Sequence, residues 1–253
     1  MKGIVEALEH AQRERARMPL PQEAPASIAV SQKKRAEAVS ISMPAPKSLE
    51  EKLHALHQQL WTTLGQPRSA VIAFAGIQGD EDAPKLVSAF AQLAASRGRR
   101  NVLLLSTVGT AESLLGVSLD MVQGWEEAID AATRVDDFLI PVKGINMYVG
   151  RLTSSEAALS TVLASPRFKD ILNHLRKRFD LIVLDALPLA ASATAALLSA
   201  AVDGVVLVVE PRKTRWQVVK AGVDQILAQQ GRVLGVVFNK QQYYIPEFIY
   251  KRL

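Results

Sequence analysis

The stretch GIQGDEDAPKL, residues 76–86, follows a short apolar run and precedes an Ala- and Leu-rich segment with helical spacing. In α/β proteins, a loop between a strand and a helix often binds phosphate, because backbone N–H groups and the helix N-terminus attract an anion. This loop carries three carboxylates and then two apolar residues, which are Asp80, Glu81, Asp82, Ala83 and Pro84. Carboxylates repel phosphate. The segment is therefore either a loop of another kind or a phosphate loop that has lost its ligand.

Two further polar residues end apolar runs. RFDLIVLD ends on Asp185, and RVLGVVFN ends on Asn239. A carboxylate at the end of a buried strand must be solvated, hydrogen-bonded or close to a cation. In phosphate-loop NTPases this position holds the water shell of Mg²⁺, whereas an aspartate that caps the following turn explains Asp185 equally well. Both interpretations stay open on this motif alone.

These residues can meet only if the runs around them form a sheet. Apolar runs predict strands at 70–75, 101–106, 146–149, 180–185, 204–209 and 233–238. Helical spacing resumes at residue 48 and recurs at 84–97, 124–132, 155–178, 192–201 and 214–229. The alternation predicts an α/β fold, with a doubly wound, mostly parallel sheet and helices on both faces. Ligands bind at the carboxyl ends of such strands, so the loops after residues 75, 106, 185 and 238 form the candidate site.

The first 47 residues have a different composition from the rest. Residues 1–17 place apolar side chains at helical spacing and predict a short amphipathic helix. Residues 18–47 hold five of the 12 prolines and predict a flexible linker. The α/β domain then covers residues 48–253.

The composition limits the class of protein. A chain of 253 residues that is 49% apolar can bury the core of one sizeable domain. It has no cysteine and no signal-peptide-like apolar stretch at its start, which predicts a cytoplasmic location. The net charge of +5 comes from scattered basic residues and indicates ordinary solubility, so we expect no nucleic-acid partner.

By the order of its elements, the region from about Ser48 to Leu253 resembles the cytoplasmic domain of bacterial tyrosine kinases (BY-kinases) of exopolysaccharide and capsule synthesis. These kinases belong to the MinD/ParA-like branch of phosphate-loop proteins. The stretches that carry the resemblance include EEKLHALHQQLW, SAVIAFAGIQGDEDAPKLVSAF, KRFDLIVLDALPL, AAVDGVVLVVEPRKTRWQVV and the tail YYIPEFIYKRL. The N-terminal GIVEALEHAQRER also looks like the leader of stand-alone cytoplasmic members.

The resemblance places the family's first phosphate motif, roughly Pro-Gly-Glu-Gly-Lys-Ser/Thr-Thr, on residues Gly79 to Lys85. The two glycines, which let backbone N–H groups turn toward one anion, are Asp80 and Asp82 here. The lysine and the Mg²⁺-binding hydroxyl are replaced by Ala83 and Pro84. The resemblance therefore implies a degenerate nucleotide site.

The other two family motifs are altered as well. The acidic positions of the second motif fall on Ser106 and Val108, so its carboxylates are absent. The third motif keeps Asp185 but continues as Ala-Leu-Pro in place of Thr-Pro-Pro, and Asn239 falls where relatives contact the adenine base. Three losses in one site imply a relative without catalytic residues and without a cofactor; if nucleotide binding survives, Asp185 and Asn239 are the residues that retain it.

Two peripheral features leave alternatives open. The family's oligomer motif, Glu-x-x-Arg-x-x-Arg, falls on Glu51, His54 and His57. These residues either form an oligomer contact or belong to a helix that packs on its own domain, and the two interpretations are equally favoured. A zinc site is a remoter option, because the sequence shows no third ligand. Relatives autophosphorylate a C-terminal tyrosine cluster, and the corresponding tyrosines are Tyr243, Tyr244 and Tyr250. Apolar neighbours favour a tail that docks on the domain or on a partner.

The expected function is a catalytically inactive scaffold or regulator of exopolysaccharide biosynthesis. The resemblance implies that its partner is the cytoplasmic segment of a polysaccharide co-polymerase (chain-length determinant) or an active BY-kinase, with a homo-oligomer as a further option. Such a partner recruits the protein to the inner face of the inner membrane. One alternative is an ATP- and Mg²⁺-dependent tyrosine autokinase of the same pathway. The other is a MinD-like positioning protein whose first helix touches the membrane.

Overall fold

The structure is a computed structural model that describes residues 49–79, 83–98, 100–107, 124–125, 135–152, 156–211 and 213–239. The predicted N-terminal helix and linker lie outside the described residues, as do 126–132 of a predicted helix. The same holds for seven residues singled out above, which are Asp80, Glu81, Asp82, Val108, Tyr243, Tyr244 and Tyr250. No helix in the described ranges is both long and apolar enough to cross a bilayer.

Within these residues, strands and helices alternate along the chain. The strands are β1 (Ala70–Gly76), β2 (Val102–Ser106), β3 (Leu139–Val142), β4 (Met147–Arg151), β5 (Leu181–Ala186), β6 (Gly204–Val209) and β7 (Val233–Phe238). The helices are α1 (Leu49–Thr63), α2 (Ala83–Ser96), α3 (Glu156–Ala164), α4 (Pro166–Leu175), α5 (Ala193–Leu198) and α6 (Trp216–Ala228), and a 3₁₀ turn spans Val135–Phe138.

The described strands form one sheet in the order β3-β4-β2-β5-β1-β6-β7. Every neighbouring pair is parallel except β3 with β4. Every residue of β1 and of β6 is buried, as expected for central strands that are apolar on both faces. The predicted α/β fold with a mostly parallel sheet is confirmed.

The two faces of the sheet carry separate cores because successive side chains on a strand point to opposite faces. On one face Phe74, Leu104 and Val183 pack under α1 and α2, with the rings of Phe74 and Phe90 5.0 Å apart. On the other face, Leu105 and Leu184 pack against α3, α4, α5 and α6. Helices therefore cover both faces, as predicted.

Two elements differ from the expectation because of proline. The segment predicted as one helix, 155–178, is two helices that meet at Ser165 and Pro166. Proline lacks an N–H and excludes the preceding residue from helical geometry, and Ser165 is extended, with φ −72° and ψ 129°. The antiparallel strand β3 was not predicted, since its sequence LIPV contains Pro141. At the outer edge of a sheet a proline is tolerated because no neighbour requires its N–H.

The amino ends of the strands are joined by polar side chains. The carboxylate of Asp203 accepts hydrogen bonds from the N–H of Val71 (2.7 Å) and from both terminal nitrogens of Arg176 (2.8 and 2.9 Å). Asp180 accepts a hydrogen bond from the N–H of Asn101 (2.9 Å), and Ser69 donates to the carbonyl of Phe179 (2.8 Å). These bonds link the starts of β1, β2, β5 and β6.

Candidate functional site

The ends of β1, β2 and β5 bring the predicted polar positions together at the carboxyl edge of the sheet. The register aligns Asp185 with Phe74 on one side and with Ser106 on the other. Residues aligned in a parallel sheet project to the same face, here the face that α1 and α2 cover. Asp185 is 7% exposed and Ser106 is fully buried. Asp185 therefore lies at the end of β5, the position at which the third family motif carries its aspartate. Its neighbour Ser106 falls on an acidic position of the second motif and carries a hydroxyl group instead.

The phosphate-loop position lies at the start of α2. This helix begins at Ala83, where a phosphate loop carries its lysine. Ala83 is 8% exposed and belongs to the core between α2 and the sheet. Pro84, at the position of the hydroxyl, is half-buried, and Lys85 is exposed. Ala83 and Pro84 do not fit a Mg²⁺–nucleotide, because neither residue supplies a cation or a metal-binding oxygen.

Gly79 stands at the proline position of the family's phosphate motif, and its backbone conformation does not require glycine. It is exposed, its φ is outside the left-handed region, and an added Cβ atom has no heavy atom within 4 Å. A phosphate loop uses glycine where a side chain would block the backbone from the anion or where φ must be positive. The second condition does not apply to Gly79.

Hydrogen bonds within the protein join the strand ends that border the candidate site. Thr107 donates to the carbonyl of Asp185 through both its hydroxyl (2.7 Å) and its N–H (3.1 Å). In the segment after β5, the N–H of Leu189 donates to the carbonyl of Gly76 (2.9 Å), and that of Ala190 to Ile77 (3.0 Å). The ends of β1, β2 and β5 are thus held together by groups of the chain itself.

Asn239 lies apart from this group. It follows β7, where its N–H donates to the carbonyl of Val209 on β6 (2.9 Å). Three strand spacings separate β7 from β5 in the sheet, which corresponds to about 14 Å. Asn239 and Asp185 share the carboxyl edge of the sheet but do not contact each other.

The three residues of the predicted oligomer motif on α1 have different environments. Glu51 is exposed and His54 is half-buried. His57 is 8% exposed; its ring stacks on Trp61 with centroids 5.7 Å apart and lies 6.1 Å from that of Phe90. His57 therefore packs within its own domain, which is the alternative that the sequence left open.

The environment of His57 keeps the imidazole neutral. Burial, together with the charge of Arg100 and the neighbouring His54, lowers the pKa of His57 from 6.5 to about 4. The guanidinium carbon of Arg100 lies 3.6 Å from the centre of the Trp61 ring, a cation–π contact that sequence reasoning did not identify. No group of three His, Cys, Asp or Glu that could hold a metal occurs in the described part of the chain.

A second polar cluster lies between the 3₁₀ turn and the end of α4. Asp136 contacts His174 (3.0 Å) and accepts a hydrogen bond from Arg178 (2.6 Å). Burial opposes ionisation, but the hydrogen bonds from His174 and Arg178 prevail and lower the pKa of Asp136. The cluster borders an open cavity of about 390 Å³ whose wall includes Arg167 and Asp170. It belongs to neither the phosphate-loop position nor the oligomer motif.

Two curated proteins are similar to this chain in sequence, and no family model matches it. The chain is 27% identical over 192 residues to the succinoglycan biosynthesis transport protein ExoP of Rhizobium meliloti (strain 1021), covering 70% of this chain and 23% of that protein. It is 26% identical over 132 residues to the tyrosine-protein kinase CpsD of Streptococcus pneumoniae, covering 52% and 58% respectively. The matches therefore span less than two thirds of either relative.

A solved structure agrees with these matches at the level of the fold. The kinase domain of the Escherichia coli tyrosine kinase ETK superposes with a TM-score of 0.68 at 16% identity, covering 78% of each chain. At this identity the likeness shows the fold alone.

Proposed function

Because this chain is a relative of the bacterial tyrosine kinases of exopolysaccharide biosynthesis, within the MinD/ParA-like phosphate-loop proteins, we propose that it is a non-catalytic scaffold of that pathway. Its partner is the cytoplasmic segment of a polysaccharide co-polymerase or an active kinase of the same family. Binding to that partner brings the protein to the inner face of the membrane. The scaffold requires no nucleotide.

The observation that carries this proposal is the buried Ala83 at the first position of α2, followed by Pro84. A phosphate loop places its lysine and its metal-binding hydroxyl here. The loss of both removes the positive charge that contacts the β- and γ-phosphates and a ligand of Mg²⁺. The loop sequence adds Asp80 and Asp82. One carboxylate about 5 Å from a phosphate costs about 3 kcal/mol at an effective dielectric constant of about 20. That is roughly a hundredfold in affinity.

Hydrogen bonds within the chain join strand ends at the carboxyl edge, from Thr107 to the carbonyl of Asp185 and from Leu189 to that of Gly76. These bonds involve only groups of the chain itself, which supports a scaffold that binds its partner without nucleotide.

Calorimetric titration of the full chain with ADP and with a non-hydrolysable ATP analogue, each with and without Mg²⁺, tests the proposal. We expect no binding at millimolar nucleotide. The matched control is a variant with a rebuilt loop, carrying Asp80→Gly, Asp82→Gly, Ala83→Lys and Pro84→Thr together. Micromolar, Mg²⁺-dependent binding by the unmodified chain contradicts the proposal.

Binding to the partner provides the second test. The co-polymerase segment should bind the unmodified, nucleotide-free chain and the rebuilt variant with similar affinity. If the segment binds only the rebuilt variant in the presence of ATP, the chain is not a nucleotide-independent scaffold.

One observation favours the alternative, an ATP- and Mg²⁺-dependent tyrosine autokinase. Asp185 keeps its place at the end of central β5 and is 7% exposed, as a carboxylate of a metal site would be. This alternative predicts ATP-dependent phosphate on Tyr243, Tyr244 or Tyr250 that Asp185→Ala abolishes. Mass spectrometry of the chain with and without this substitution distinguishes the two functions.

A further inference from the structure

The first turn of α6 carries an exposed tryptophan. Trp216 is 70% exposed, whereas the other two tryptophans of the chain, Trp61 and Trp125, are 8% and 0% exposed. An indole ring has a large apolar area and one N–H donor, and both are satisfied together where an apolar phase meets water. Trp216 is therefore a candidate contact residue and contributes little to the core.

Basic side chains are concentrated around Trp216. Residues 210–220 read EPRKTRWQVVK, with four basic residues and one acid, a local excess of three positive charges in a chain whose net charge is +5. Lys213, Arg215 and Lys220 are exposed, and Lys213 contacts Glu210 at 3.3 Å. Lys220 lies one turn after Trp216, on the same side of the helix. The residues Lys213, Arg215, Trp216 and Lys220 are called the α6 patch below.

The packing of α6 leaves the patch exposed. The helix contacts the rest of the domain through buried residues that include Val219 and Gly222. A Cβ atom added to Gly222 would lie 2.8 Å from the side chain of Ile77, so this face of α6 is closely packed. The next acid along the helix is Asp224, two turns beyond Trp216, or about 12 Å along the axis. The first turn of α6 is thus an exposed and predominantly cationic surface.

An indole ring among cations matches a lipid surface better than a protein surface. The centres of protein–protein interfaces are depleted of charged residues, and lysine is depleted across the whole interface. At the surface of a bilayer, by contrast, tryptophan rings lie at the level of the headgroups and basic side chains contact anionic lipids. We propose that the α6 patch binds an anionic lipid bilayer, with the ring of Trp216 among the headgroups and the basic side chains against the lipid phosphates.

The size of the patch sets the strength of this contact. Each basic residue close to an anionic membrane increases binding about fivefold, so three such residues increase it about a hundredfold. Burial of the indole ring adds at least about another tenfold. Because it rests on charge, the contact should weaken as the salt concentration rises. It needs neither a protein partner nor nucleotide and is independent of the proposed scaffold function.

Tryptophan fluorescence of the full chain reports this contact directly, because Trp216 is exposed and the other two tryptophans are buried. The probes are vesicles of phosphatidylcholine with phosphatidylglycerol as the anionic lipid, and vesicles of phosphatidylcholine alone. With the anionic vesicles we expect a blue shift of the emission and quenching by brominated acyl chains. With the neutral vesicles we expect neither. If the anionic vesicles produce neither change, the proposal is overturned.

Co-sedimentation with the anionic vesicles assigns the binding to Trp216. Trp216→Ser should lower the binding at least about tenfold. The matched control is Leu227→Ser, which replaces another exposed apolar residue of α6, 52% exposed and about 17 Å further along the helix. This control should bind like the unmodified chain. Equal binding by Trp216→Ser and the unmodified chain would show that another part of the protein contacts the lipid and would overturn the proposal.

Charge reversal separates the α6 patch from a general effect of net charge. The double variant Arg215→Glu, Lys220→Glu should lower the binding at least about 25-fold, since the loss of each basic residue is worth about fivefold. The control is Lys169→Glu with Lys177→Glu, which makes the same change in net charge at exposed positions in and just after α4. The control should keep most of the binding. An equal loss in the two double variants contradicts a defined patch.

Soluble polyglutamate distinguishes a bilayer from an acidic polypeptide as the occupant. It carries carboxylates at high density but offers no interface into which an indole ring can insert. We expect it to leave the emission of Trp216 unshifted. A blue shift with polyglutamate but not with anionic vesicles would identify an acidic polypeptide as the occupant and overturn the lipid proposal.

Discussion

The buried imidazole of His57 makes the stability of the domain depend on pH. His57 is held between Trp61 and Phe90, and its Nε2 atom has no hydrogen-bond partner among the described residues. Burial, with the charge of Arg100, lowers its pKa from 6.5 to about 4. The folded protein therefore keeps His57 neutral at a pH where the unfolded chain protonates it.

The direction and size of the effect follow from this difference in pKa. Below pH 6.5 the unfolded state binds a proton that the folded state does not, so the free energy of unfolding falls as the pH falls. Each tenfold difference in proton affinity is worth about 1.4 kcal/mol. Between pH 7.5 and 5.0 the loss from His57 is about 2 kcal/mol, and it levels off below the folded-state pKa of about 4.

Urea denaturation at pH 7.5 and pH 5.0 measures this loss, with tryptophan fluorescence as the signal because Trp61 contacts His57. His57→Leu should lose about 2 kcal/mol less than the unmodified protein between the two pH values. His54→Gln, on the same helix but half-buried, is the control and should retain most of the pH dependence. If the unmodified protein and His57→Leu lose the same stability, the reasoning is refuted.

Three further predictions concern other positions. Asp203→Ala should lower the free energy of unfolding by about 2 kcal/mol in urea denaturation, because Arg176 and the N–H of Val71 lose their shared acceptor. An effect under about 0.5 kcal/mol would contradict that role. Gly204→Ala should lower the free energy of unfolding by about 1–3 kcal/mol, because the added Cβ would overlap the side chain of Leu234. Unchanged stability would show that Leu234 can move aside. Trp216→Ser should change stability by less than about 0.5 kcal/mol, since Trp216 is 70% exposed, and a larger loss would mean that the indole packs on the domain.

The central strands were predictable because each is a continuous apolar run that must be buried on both faces. The apolar run Ile182, Val183, Leu184 is short and rich in β-branched residues, which favours a core strand. The polar residue after it then marks the carboxyl edge. The same rule predicted that the loops after residues 106 and 185 share one edge. The position of Asp185 directly beside Ser106 depends on the strand order, which only the structure shows. β3 could not be predicted in this way, since Pro141 argues against a strand unless the strand is known to lie at an edge.

Side-chain environments on α1 could not be predicted from spacing alone. His54 and His57 are three residues apart, and helical spacing permits both to face solvent or a neighbour. In the structure the environments of the two residues differ, because the ring of His57 packs against Trp61 and Phe90. The contact of Arg100 with Trp61 joins residues 39 positions apart in the chain. No local pattern indicates such a contact.

The polar bonds at the amino ends of the strands have a consequence for how this sequence can change. Asp203, Asp180 and Ser69 stabilise the sheet from the end opposite Asp185 and Ala83. The carboxyl-end loops lie at the other end of the strands from these bonds. We therefore expect substitutions in those loops to cost less stability than substitutions of the amino-end residues.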